Sequence, residues 1–138
     1  MNRLLAILMV AVTGSAVLSL PTDAQVAPMT QRAIHARITK GPELESARDN
    51  MAIIRWTSTN PGGTDEHFGV VHFGTDAKNL TETAKSHIRL NQAHSHTVFR
   101  VRVEGLSPKT TYYYKVDSAD ARGKSDGVVS AVKIFKTE

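Results

Sequence analysis

The chain has 138 residues, room for one domain with a sizeable core and too few for two. Its 41% hydrophobic and 22% charged residues are ordinary globular values, which excludes a disordered tail. A net charge of +4 favours acidic partners, but the Lys and Arg residues are scattered and make no nucleic-acid footprint; the lack of cysteine excludes disulfides, thiolate zinc sites, a Cys nucleophile and a lipidated Cys.

Met1 to Arg3 give a basic start, and Leu4 to Leu20 then run seventeen residues without a charge before Pro21-Thr22-Asp23-Ala24. A basic start, an apolar stretch and a helix-breaking Pro ahead of a small residue describe a secretory signal peptide over 1–24, cleaved after Ala24. The alternative is an uncleaved membrane anchor, but a seventeen-residue stretch containing Thr13, Gly14, Ser15 and Ser19 is marginal for a ~30 Å hydrocarbon core. Loss of Arg3 and Asp23 would leave the net charge at +4. Residues 25–36 read as a polar tether, and 37–138 as the folded domain.

From about residue 37 the chain reads as short alternating segments punctuated by turns. Met51 to Thr57 places Ala52, Ile54 and Trp56 on one face and Ile53, Arg55 and Thr57 on the other, the period of a strand. Asn60-Pro61-Gly62-Gly63 is a turn. Phe68 to Phe73 is the next apolar run, ended by Gly74-Thr75-Asp76. Thr97 to Leu106 alternates Phe99, Val101 and Val103 against Arg100, Arg102 and Glu104. Ser107-Pro108 turns the chain into Thr111 to Val116; Asp120 to Gly127 is a polar loop, and Val128 to Lys136 is the last strand. Six or seven short strands with turns about every ten residues, and no competing amphipathic helix after the leader, predict an all-β sandwich of two antiparallel sheets.

Leu106, Pro108, Thr110, Tyr112, Tyr114 and Val116 together resemble the L-x-P-x-T-x-Y…V signature of fibronectin type III domains, an immunoglobulin-like β-sandwich of about seven antiparallel strands. That resemblance implies that Tyr112 is a tyrosine corner and that Trp56 is the core tryptophan of the second strand. The order Ile54-Arg55-Trp56-Thr57, Val71-His72-Phe73-Gly74-Thr75, Phe135-Lys136-Thr137 is similar to a narrower group, the fibronectin-III-like N-terminal domain of purple acid phosphatases. It covers roughly 37–137. The catalytic part of such phosphatases holds two metals on Gly-Asp and Gly-Asn-His motifs, and this chain contains neither a Gly-Asp nor an Asn-His dipeptide. The resemblance therefore implies a non-catalytic scaffold or accessory module with no cofactor.

Residues that could carry chemistry are few. Of six histidines, His94 and His96 form the one pair with metal-ligand spacing, yet no Asp or Glu lies within seven residues of either, so they are weak candidates. No G-x-S-x-G elbow is present, Asp65 and Glu66 read as turn residues, and Gly62-Gly63 lacks the Lys-Ser/Thr of a phosphate loop. Arg122-Gly123-Lys124-Ser125-Asp126 resembles the receptor-binding Arg-Gly-Asp of some fibronectin domains, but two residues interrupt it. Asn79-Leu80-Thr81 is a glycosylation sequon, informative only where the cell glycosylates its exports. In a sandwich of this type the strands holding Arg55, Arg100 and Arg102 are neighbours, so these three would form a basic stripe on a solvent face. With Arg122 and Lys124 they are the candidate binding surface. The expected partner is a protein or an acidic glycan, or a metallophosphoesterase made as a separate chain. Nucleic acid is not expected, and a membrane would be met only through an uncleaved leader. The expected location is secreted, periplasmic or extracellular.

Overall fold

The computed structural model describes residues 36–91 and 93–138, so the expected leader and all of the tether except Ala36 lie outside the described residues. Eight strands follow in order: β1 (Ile38–Ala47), β2 (Met51–Thr59), β3 (Glu66–Gly74), β4 (Glu82–Arg89), β5 (His96–Glu104), β6 (Thr111–Asp120), β7 (Ser125–Val129) and β8 (Lys133–Lys136). They form two antiparallel sheets, one ordered β1-β2-β5 and the other β4-β3-β6-β7, with β8 also paired to β6. No helix occurs among the described residues.

Alternation explains which faces meet. Ala52, Ile54 and Trp56 of β2 lie opposite Val103, Val101 and Phe99 of β5, and all six are buried. Val71 and Phe73 of β3 and Tyr112, Tyr114 and Val116 of β6 supply the facing layer, closed by Leu106 and Phe135. Trp56 stacks on Phe99 with ring centroids 5.2 Å apart. Room for that indole comes from Gly69 of β3, where a Cβ would stand 3.1 Å from Trp56 Cη2 and 2.9 Å from Val101 Cγ2.

The expected tyrosine corner is present: the Ser107 amide donates to the Tyr112 hydroxyl at 2.9 Å. Thr137 ties the same end of the sandwich, its hydroxyl donating to the Ser107 carbonyl at 2.6 Å and accepting from the Thr110 amide at 2.9 Å.

Three features depart from the sequence reading. β1 and β4 were not distinguished there, because both are edge strands with few buried positions. The expected last strand is two: the Ser130 hydroxyl accepts from the Val116 amide and the Ser130 amide donates to the Val116 carbonyl, so the chain jogs before β8 resumes pairing at Thr111–Tyr114. The expected polar loop over 120–127 shrinks to the four residues between β6 and β7.

Candidate functional site

Because the strands alternate in direction, the β2–β3, β4–β5 and β6–β7 connections all emerge at one end of the sandwich. Two buried polar residues join them. Asn60, the last residue before the β2–β3 turn, donates from Nδ2 to the carbonyls of Asn91 (3.2 Å) and His94 (2.9 Å) in the β4–β5 connection. Its Oδ1 accepts from the Thr97 hydroxyl, and its amide donates to the Ser95 carbonyl. The Leu90 amide adds a bond to the Asp65 carbonyl at 2.7 Å. Such bonds satisfy main-chain groups that a crowded loop end would otherwise leave dry.

His67 makes the second junction. It is fully buried at the start of β3; Nδ1 lies 2.9 Å from Asp126 Oδ2 of β7, and Nε2 lies 2.9 Å from the Thr64 carbonyl of the β2–β3 loop. The Ser118 hydroxyl of β6 donates to the same Asp126 oxygen at 2.6 Å. Burial pulls the imidazole pKa down, but the hydrogen bond and charge of Asp126, the Thr64 carbonyl and the charge of Asp120 together hold it above its ordinary 6.5. A serine, a histidine and an aspartate thus meet, in an order that cannot activate a nucleophile: the hydroxyl donates to the carboxylate, and both imidazole nitrogens are already engaged.

The β6–β7 hairpin is shaped by Asp120. Its Oδ1 accepts from the amides of Lys124 (3.0 Å) and Arg122 (2.9 Å); the Lys124 bond first, and the Arg122 bond after it, hold the carboxyl below its ordinary range against the opposing effect of burial. Gly123 completes the turn with φ +83°, a conformation other residues adopt only under strain.

The predicted residues divide into two groups. Arg122 and Lys124 stand exposed on the hairpin tip, and His94 and His96 are exposed at the same end, His94 in the loop and His96 opening β5 with its Nδ1 2.7 Å from Ser95 Oγ. Among the described residues no group of three or more His, Asp or Glu side chains is placed to hold a metal ion. Arg55, Arg100 and Arg102 lie elsewhere, on the outer face of the three-stranded sheet, with Arg55 directly opposite Arg100. The stripe is not purely basic. Arg100 grips Glu45 of β1 bidentately at 2.8 and 2.9 Å, Arg102 pairs with Glu104 at 2.8 Å, and Glu43 faces Arg55 in register. Arg100, through its hydrogen bond first and its charge next, holds the Glu45 carboxyl below its usual range.

The sequence shows Asn60 only as a turn residue and Asp126 only as the end of the interrupted Arg-Gly-Asp-like run, and it gives no sign of the bonds that Asn60, His67, Asp126 and Glu45 make. An open groove of about 530 Å³ lies between the start of β1 and the β7–β8 edge, lined in part by Ala36, Ile38, Pro42, Val128 and Val129. Val129, Val132 and Ile134 are exposed along that edge.

Among solved structures, the chain is similar to the short form of the sensor domain of the anti-sigma factor RsgI4 in Pseudobacteroides cellulosolvens. That match has 20% identity, 74% of this chain, 93% of that one and a TM-score of 0.50. The long form of the same domain gives 18% identity over 75% of this chain and 87% of that one, with a TM-score of 0.47. A glycosyl hydrolase family 2 member from Bacteroides cellulosilyticus gives 8% identity over 73% of this chain and 14% of that one, with a TM-score of 0.45. These likenesses concern the fold alone. No curated protein matches the chain. The family model described as "Purple acid Phosphatase, N-terminal domain" matches residues 40–137, and the chain belongs to that family of fibronectin-III-like, non-catalytic domains.

Proposed function

We propose that this chain is an exported, non-catalytic interaction module that meets its partner through the loop end of the sandwich. The observation that carries this reading is the cross-bonding of the loops through Asn60 and His67, while Arg122, Lys124, His94 and His96 remain exposed there. Loops fixed before contact lose less conformational entropy on binding than free ones. The positive hairpin tip and the net charge of +4 favour an acidic partner, either a protein or an acidic glycan. Export rests on the leader over 1–24. Family membership favours a second reading, an accessory module that works with a metallophosphoesterase.

The test is capture from the exported fraction with the full chain, expressed with its leader and tagged at the C-terminus. The Arg122→Glu, Lys124→Glu double variant serves as control. An acidic polymer or envelope protein held by the wild type and lost by the double variant supports the loop end. Recovery of a phosphoesterase in near-equal amount supports the accessory reading. Capture unchanged by the two substitutions removes the hairpin tip as the contact.

A further inference from the structure

His67 presents a proton-counting problem that its neighbours solve in only one way. The Thr64 carbonyl can only accept, so Nε2 must carry a hydrogen. On the other side Nδ1 faces Asp126 Oδ2, which already takes the Ser118 hydroxyl proton. A lone pair on Nδ1 would point at a carboxylate oxygen inside the protein, so Nδ1 too must donate while the contact is closed.

We propose that His67, Asp126 and Ser118 form a proton-operated clamp joining the β2–β3 loop to the β6–β7 hairpin, closed while both imidazole nitrogens carry hydrogen and released when one proton leaves to solvent. The geometry is that of a latch. His67 and Ser118 are fixed within β3 and β6 of the same sheet, whereas Asp126 belongs to β7, a five-residue edge strand whose registered pairs to β6 are Asp117 with Val129 and Ala119 with Ser125, with a register shift between them. The Asp126 side chain is only 8% exposed, so its carboxylate depends on its two donors and not on water.

The charges around the imidazole all act in one direction. In register with His67 stand Asp120 on β6 and Ile88 on β4. Asp120 favours the charged ring, and Ile88 is uncharged. The sign follows: a histidine held above 6.5 adds stability that is complete below pH 6.5 and is lost as the pH climbs through its folded value. The hairpin is therefore firm on the acidic side and loosens on the alkaline side. This device stands whether or not the loop end is the binding surface.

The experiment is nitrogen-detected NMR of the imidazoles of the wild-type protein from pH 5 to 9, with amide exchange of the hairpin over the same range. The expected result is a His67 ring with both nitrogens protonated and a midpoint above 6.5, together with a hairpin opening constant that rises by at most about tenfold per pH unit between 6.5 and that midpoint and levels off above it. Opening at the Ser107–Tyr112 corner, at the opposite end, should stay constant. In Asp126→Asn the hairpin should be open at both extremes and its pH dependence gone. A His67 midpoint at or below 6.5, or wild-type hairpin exchange that ignores pH after correction for intrinsic rates, overturns the proposal. If Asp126→Asn fails to fold, the wild-type titration and exchange decide alone.

Discussion

Asn60 gives the sharpest test of whether the loop end is held from inside. It is 7% exposed and provides both a double donor and an acceptor. Asn60→Ala strands the Thr97 hydroxyl, itself 6% exposed, and two loop carbonyls. A stranded buried polar group costs about 1–3 kcal/mol, and the carbonyls can be partly recovered by water in the vacated space, so the loss should be about 2–3 kcal/mol. For a domain of this size that lowers Tm by roughly 10–20 °C, readable from the fluorescence of the single tryptophan, Trp56. Asn60→Asp separates hydrogen bonding from shape. It fills the same space and keeps the acceptor for Thr97, yet aims an oxygen at the carbonyls of Asn91 and His94 where the amide donated. Burial and two facing carbonyls raise the pKa of the introduced carboxyl, so its variant should be least stable at neutral pH and should recover on acidification, when the protonated group donates again. If Asn60→Asp melts within 2 °C of wild type at pH 7, or shows no extra recovery in acid, the cross-loop bonds do not hold this end together.

Three further outcomes follow from the geometry. Tyr112→Phe removes the acceptor for the Ser107 amide and should lower stability in urea by about 1–2 kcal/mol with an unchanged m-value, whereas no loss would mean that water replaces the hydroxyl at no cost. Gly69→Ala pushes a methyl against Val101 and the Trp56 ring and should cost about 1–3 kcal/mol; pairing it with Val101→Ala should cost less than the two losses added, as thermal melts of the three variants will show. Arg122→Glu with Lys124→Glu should leave the stability measured in urea within about 0.5 kcal/mol of wild type, since both side chains are exposed; a larger loss would show that the tip has a structural task.

What the sequence disclosed, and what it withheld, both have physical causes. β2, β5 and β6 each bury every second residue, so their alternation is visible without a partner strand. The corner at Tyr112 was legible because its bond spans five residues. β1 was not, since Gly41-Pro42 interrupts it and one of its ten residues is buried. With β1 unplaced, Glu43 and Glu45 could not be set against Arg55 and Arg100, and the face read as basic when it is mixed. Asn60 looked like one more turn residue because its partners lie 31 and 34 residues away. His67 and Asp126, 59 residues apart, carry no local signal of each other at all. Short-range patterning writes the strands; long-range polar pairs wrote this end of the molecule.

The cross-bonded loops also decide where the scaffold can absorb change. A substitution in the β2–β3 or β4–β5 connection alters a shared set of bonds, so neither segment can be varied without moving the other. The hairpin tip is different: Asp120 alone organises the amides of Arg122 and Lys124, and the turn closes on itself through Gly123. New sequences grafted between Asp120 and Ser125 that keep Gly123 should be tolerated as independent cassettes, while libraries built on the other two loops would have to be diversified jointly. For a small domain without cysteine, that leaves one freely writable segment on an otherwise interlocked rim.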